Sequence, residues 1–168
     1  MRTRHETAKE GSRVVEIYVD ADACPVKSEI YRVAGRNGIK VWIVSNGPLR
    51  LPNECLSELV VVGSEFDAAD NWIAEHATEA DIVVTADIQL ADRCVKKRAV
   101  VIGPTGRPFT EDSIGSAIAT RALMQDLRDM GVVSGGNKPM SQQDKSKFLQ
   151  TLDQAVQALK AGRRPKWR

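Results

Sequence analysis

The stretch VVEIYVDADACPVK, Val14–Lys27, sets the architecture. Its first half, Val14–Asp20, is short and rich in β-branched residues, the composition of a strand. Asp20 and Asp22 close that strand. Cys24-Pro25 then opens a helix, because proline suits the first turn, where its missing N–H is not needed. Ile30, Val33 and Ala34 recur at helical spacing, and Asn37-Gly38 stops the run. Lys40–Ser45 is almost wholly apolar, as expected of a strand covered on both faces.

The same alternation runs on toward the C-terminus. Asn46–Glu54 is dense in turn formers and reads as a loop. Leu59–Gly63 is a third strand, and Asp67 to about Thr78 a helix with Ala69, Trp72, Ile73 and Ala77 on one face. Asp81–Thr85 is a fourth strand, followed by a short helix that carries Ile88, Leu90, Ala91 and Val95. Ala99–Gly103 is a fifth strand. A second loop, PTGRPFTEDS, leads into a helix that Thr110 or Asp112 could cap and that runs to about Met130. After the loop Ser134–Met140, Ser141 and Asp144 form a capping-box pair for a last helix, Gln142 to about Lys160. Strand–helix alternation with right-handed crossovers predicts an α/β fold: a three-layer, doubly wound parallel sheet of about five strands with C-terminal helices.

The chain of 168 residues is the size of one domain, and its 42% hydrophobic and 27% charged residues are ordinary for a globular protein. No apolar run reaches the ~20 residues that span a bilayer, so no membrane role is expected. Residues 1–13 are polar and read as a flexible extension, 14–161 as the domain, and 162–168 as a basic tail. Three cysteines, Cys24, Cys55 and Cys94, are too few and too widely spaced for a disulfide framework or a zinc site, which suits a cytoplasmic protein with reduced thiols. Cys24 lies near a helix start but lacks a basic partner, since the two histidines are His5 and His76. It reads as a packed residue, as do Trp42 and Trp72. A formal charge of +2 excludes a strong polyanion binder by net charge alone. The tail bearing Arg163, Arg164, Lys166 and Arg168 reads as a solubilising, disordered end, with Trp167 exposed.

In a doubly wound sheet the crevice lies beyond the carboxyl ends of the strands, where strand order reverses. Aspartates gather at such ends. Asp20 and Asp22 close strand one, Asp87 follows strand four, Asp92 lies about one helical turn on, and Asp67 and Asp70 open the helix after strand three. With strand order 3-2-1-4-5, Asp20 and Asp87 face one another. Carboxylates this close repel unless a proton or a cation joins them. Mg²⁺ or Mn²⁺, hard cations that prefer carboxylate and water oxygens, would do so and would assist phosphoryl chemistry. Against this stands the ordinary use of aspartate as a helix cap, which Asp20, Asp67 and Asp87 could all serve. Lys27 and Arg107 are candidate phosphate contacts. Arg107 lies in a Gly-Pro loop that leads to a helix start, where backbone N–H groups favour anions.

YVDADACPVK, GSEFDAADNWI, DIVVTADIQLA, GPTGRPFTEDSIGSAIATRALM and GGNKPMSQQDKSKFLQTLD together resemble the uncharacterised bacterial YaiI/YqxD family over about Ile17 to Leu159. The pattern is also similar to PIN-like nucleases, in which aspartates end strand one and open a helix and a Thr-x-Asp ends strand four. Asp20, Asp67 or Asp70, and Thr85 with Asp87 match those positions. The resemblance implies a PIN-like domain with metal-dependent hydrolysis of RNA phosphodiesters. Asp20, Asp22, Asp70 and Asp87 are then catalytic candidates, and Asp20, Asp67, Asp70, Asp87 and Asp92 candidate ligands for Mg²⁺ or Mn²⁺. PIN nucleases also use a glutamate from a middle helix; here Asn46–Leu59 offers only Glu54 and Glu58.

Two other readings compete. Asp20 with Asp22, Ser45-Asn46 after the second strand, and Asp87 with Asp92 resemble the motifs of a haloacid-dehalogenase phosphatase, with Asp20 as nucleophile, Asp22 as general acid and Ser45 and Asn46 as substrate contacts. That mechanism needs a lysine between the Ser-Asn and the last acidic pair. Gly47–Ala86 contains none, and its only arginine is Arg50. The third reading is a non-catalytic PIN-like module that binds RNA or a protein.

Overall fold

Strand and helix alternate through residues 14–131 and 140–167, the parts of the chain that the computed structural model describes. The extension expected at 1–13 and nearly all of the loop expected at Ser134–Met140 lie outside them. In chain order the elements are β1 (Glu16–Asp20), α1 (Lys27–Asn37), β2 (Lys40–Ser45), β3 (Ser57–Val61), α2 (Ala68–His76), β4 (Ile82–Val84), α3 (Ile88–Lys96), β5 (Val100–Ile102), β6 (Pro108–Phe109), α4 (Glu111–Asp129) and α5 (Gln142–Lys160). A single 3₁₀ turn, Ala21–Ala23, follows β1.

The strands form one sheet of order β3-β2-β1-β4-β5-β6, parallel except for β6. β1 and β4 are therefore neighbours at the point where the order reverses, as the order 3-2-1-4-5 requires. Side chains of a strand alternate between faces. Ile17, Val19, Ile43, Val84 and Ile102 pack with Ile30, Val33 and Ala34 of α1 and Phe148, Leu152 and Val156 of α5. Tyr18, Trp42, Val44, Val83 and Val101 pack on the opposite face with α2, α3 and Ile114 of α4. Three layers result, with two helices on one face and three on the other.

Local signals account for most element ends. Gly38 adopts a left-handed φ of 64° and its N–H bonds to the Ala34 carbonyl, ending α1. Ser141 and Asp144 make the reciprocal capping box of α5. The Thr110 hydroxyl accepts from the Ser113 N–H at 3.1 Å, as expected at the start of α4. Pro25 differs from its expected place: α1 begins at Lys27, and Pro25 stands in the turn before it. β3 begins at Ser57, two residues before the stretch expected from its apolar run, because its register with β2 extends to Val41–Ser57. β6 was expected to be loop. Two residues dense in neither charge nor apolar pattern become a strand only because β5 offers them an edge.

Two features of the lower, amino-terminal end of the sheet are invisible in the sequence pattern. Asp81 is fully buried; its carboxylate accepts from the Thr78 N–H at 2.8 Å, the Thr78 hydroxyl at 3.0 Å and the Glu16 N–H at 3.3 Å. It thereby ties β4 to β1. Replacing Asp81 with alanine strands those donors, and a loss of about 2 kcal/mol in urea-denaturation stability is expected. The basic tail, expected to be free, is docked instead. Arg164 donates to the carbonyls of Glu79 and Arg98, the Gln154 amide donates to the Lys166 carbonyl at 3.0 Å, and Trp167 is half-buried against the core. A guanidinium finds two adjacent carbonyls left open at that end of the sheet, so this charge serves the fold.

Candidate acidic site at the strand ends

β1 and β4 run side by side with Val19 opposite Val84, so Asp20 and Thr85 leave the sheet together. The Thr85 hydroxyl donates to Asp20 Oδ2 at 3.0 Å and accepts from the Asp87 N–H at 3.0 Å. One buried hydroxyl thus joins the strand-one aspartate to the strand-four loop. Asp20 has no capping bond to the turn after it. Asp87 is the N-cap of α3, and its Oδ1 accepts from the N–H groups of Gln89 at 2.8 Å and Leu90 at 3.3 Å. The cap and the site share this residue.

Asp70 enters from α2. Its carboxyl is pushed up to about 6, first by burial, then by the charges of Asp87 and Asp20, by a hydrogen bond with Asp87, and by Asp67. Asp20 is raised as well: burial is the largest cause, the Thr85 hydrogen bond opposes it, and Asp87 and Asp22 add repulsion. Asp20 at the end of β1, Asp70 of α2 and Asp87 at the start of α3 are therefore near enough for their charges to act on one another.

The Asp70 shift has a direct consequence for pH. A carboxyl whose folded pKa of about 6 exceeds its ordinary 3.8 binds its proton more tightly in the folded chain. Its contribution to stability is full below about pH 4 and is lost as the pH rises through about 6. In divalent-free buffer, the urea midpoint of Asp70→Asn is expected to change less between pH 4 and 7 than that of the wild type. Parallel profiles for the two proteins would refute this coupling.

The other expected residues have different neighbours. Asp22 is exposed and accepts from the Ser45 hydroxyl at 2.9 Å and the Asn46 N–H at 3.1 Å. Ser45 and Asn46, expected as substrate contacts, thus hold Asp22 to the end of β2. Asp67 stands at the N-cap of α2 without a side-chain capping bond and is exposed. Asp92 pairs with Lys96 at 2.9 Å on α3. Lys27 is the first residue of α1. Arg107 is exposed beside a groove that Ala86 and Ile88, the neighbours of Asp87 in sequence, also line. Glu58 pairs with Lys40 at 2.7 Å on the edge strand, while the Glu54 carbonyl lies against Gly35, where a Cβ would stand. Burial pushes the Cys24 thiol up to about 11 and outweighs the lowering by the Val26 amide and Lys27. Cys24 is therefore held as a thiol near neutrality.

Among the described residues, no three His, Cys, Asp or Glu side chains are arranged to hold a metal ion by themselves. Nor is any helix among them long and apolar enough to cross a membrane.

A profile described as "Uncharacterized BCR, YaiI/YqxD family" matches residues 18–158. The chain belongs to the YaiI/YqxD family. It is 60% identical over 147 residues to a UPF0178 protein of Sphingopyxis alaskensis, covering 87% of this chain and 96% of that one. It is 54% identical over 154 residues to a UPF0178 protein of Rhodospirillum centenum, covering 89% of this chain and all of the other. No solved structure matches the chain. The YaiI/YqxD match spans β1 through nearly all of α5, so it includes Asp20, Asp70, Thr85 and Asp87.

Proposed function

We propose that this YaiI/YqxD protein is a metal-dependent nuclease that hydrolyses RNA phosphodiesters at the Asp20–Asp70–Asp87 crevice. The observation that carries this reading is the Thr85 hydroxyl, which joins Asp20 to the Asp87 backbone at 3.0 Å on each side. A fold that only needed a cap on α3 would have no use for a second, half-buried carboxylate beside it.

The donor set fits Mg²⁺ or Mn²⁺ better than a softer or more fully caged ion. Magnesium is commonly held by one or two carboxylates, with water and substrate oxygens completing its shell. Asp20 and Asp87 would supply the two, with Asp70 adjacent, and three protein ligands in place beforehand are not required. When bound, such an ion supplies positive charge against the negative charge that develops on a phosphodiester.

The chain's own residues have separable parts. Thr85 fixes the orientation of Asp20. The capping bonds of Asp87 fix one of its oxygens and direct the carboxylate at the crevice. Asp70, with a pKa near 6, is ionised at neutral pH yet basic enough to accept the proton of an attacking water. The phosphatase reading fits less well, because Ser45 donates to Asp22, the residue that reading needs as a free general acid. The test is cleavage of single-stranded RNA with Mn²⁺, with EDTA and p-nitrophenyl phosphate as controls. RNA cleavage that EDTA stops supports the proposal. Hydrolysis of the small phosphate ester alone would replace it with the phosphatase, and neither activity would leave a binding module.

A further inference from the structure

A groove of about 710 Å³ opens beside the acidic crevice. Ala86 and Ile88, on either side of Asp87 in the chain, line it. Ala117 and Arg121 of α4, Phe109 of β6 and Arg107 of the preceding loop also line it. Neither guanidinium has an ion-pair or hydrogen-bond partner among the described residues. Two unpaired cations next to a cluster of carboxylates do not neutralise that cluster, and they flank an apolar surface. This combination suits a ligand that is anionic at one end and flat and apolar at the other. The volume is within the ~300–1,000 Å³ range of sites for such groups.

We propose that the groove holds one nucleotide unit of a single-stranded polynucleotide, with a phosphate between Arg107 and Arg121 and a base against Ile88 and Phe109. The placement rests on the nuclease reading for its direction: the strand would continue from this subsite, past Ala86, to the scissile phosphate at Asp87. An acidic peptide would satisfy the arginines but would leave the apolar surface uncovered. A duplex would keep its bases stacked and out of reach of that surface. Arginine forks bind phosphate through paired N–H donors, and base–side-chain stacking tolerates any base, so affinity here would depend strongly on salt and little on sequence.

The experiment is fluorescence anisotropy of a labelled ten-residue oligouridylate in EDTA, where no cleavage occurs. The wild type is compared with Arg107→Ala/Arg121→Ala and with Arg32→Ala/Arg36→Ala on α1 as a charge-matched control. The groove pair is expected to weaken binding at least ~10-fold and to lower the salt slope by about 1–2, the measure of lost phosphate contacts. The α1 pair is expected to keep the wild-type salt slope. Equal loss from both arginine pairs would overturn the proposal, and so would competition by oligoglutamate as strong as that by unlabelled RNA. Arginine-dependent binding by a protein that cuts no RNA would uphold the groove and remove the catalytic reading. Cleavage that is indifferent to Arg107 and Arg121 would do the reverse.

Discussion

Asp20→Asn and Asp87→Asn are each expected to reduce Mn²⁺-dependent cleavage of single-stranded RNA at least ~100-fold, a loss of about 2.7 kcal/mol of transition-state stabilisation. The substitutions preserve shape and remove charge, and their structural costs can be separated from their chemical ones. Asparagine caps helices about as well as aspartate, so Asp87→Asn keeps the cap of α3. Asp87→Ala does not, and should lose about 1 kcal/mol of stability in addition. Asp20 makes no capping bond, accepts from Thr85 and carries a raised pKa in a crevice of like charges. Neutralising it relieves repulsion, so the metal-free Asp20→Asn protein should be at least as stable as the wild type at pH 7. Isothermal titration with Mn²⁺ and urea denaturation, run on the same samples, distinguish the two effects. An inactive variant that is folded, stable and weak in Mn²⁺ binding is the expected pattern. Full cleavage by both variants would place the activity elsewhere.

The parallel, doubly wound class was legible because it needs only alternation and handedness; the order that sets Asp20 beside the Thr85–Asp87 turn was one of the orders that class allows. The partners of Asp22 were not legible. Ser45 reaches Asp22 because β1 and β2 pair with Asp20 opposite Val44, and nothing in either strand alone states that register. Asp81 shows the same limit. Like Asp67 it stands just before an element, yet one carboxylate is fully buried under three donors and the other is exposed. Local composition records the residue type and omits what lies across the sheet. The place of Arg121 beside the groove was not legible either. The residue sits in a helix of which the sequence suggested only the cap and the end, whereas most of α4 beyond Ile114 is exposed and part of it borders the groove. The tail misled in the opposite sense, because a run of arginines has the composition of a solvated end even when one guanidinium closes on two carbonyls.

Gly106→Ala is expected to cost roughly 3–4 kcal/mol in urea denaturation, although Gly-Pro loops such as this one commonly tolerate change. Two independent terms add. Gly106 has φ of +84°, where a side chain costs roughly 1–2 kcal/mol. A Cβ there would also lie 2.7 Å from the Lys147 carbonyl carbon, 2.7 Å from the Phe148 nitrogen and 2.8 Å from the Lys147 carbonyl oxygen. Those atoms are α5 backbone and cannot swing aside as a side-chain tip could, so overpacking adds about 1–3 kcal/mol. The loop cannot retreat cheaply either. The Gly106 N–H bonds to the Gly103 carbonyl at 2.9 Å, the Gly103 N–H to the Arg107 carbonyl at 2.8 Å, and Thr151 of α5 donates to the Gly106 carbonyl at 2.9 Å. Gly38→Ala isolates the first term, since its φ is +64° with no heavy atom within 4 Å of a built Cβ. It should cost only about 1 kcal/mol. A Gly106 variant no worse than the Gly38 one would mean that α5 yields at this contact. The expected difference would instead establish that glycine is required here for close approach to a helix.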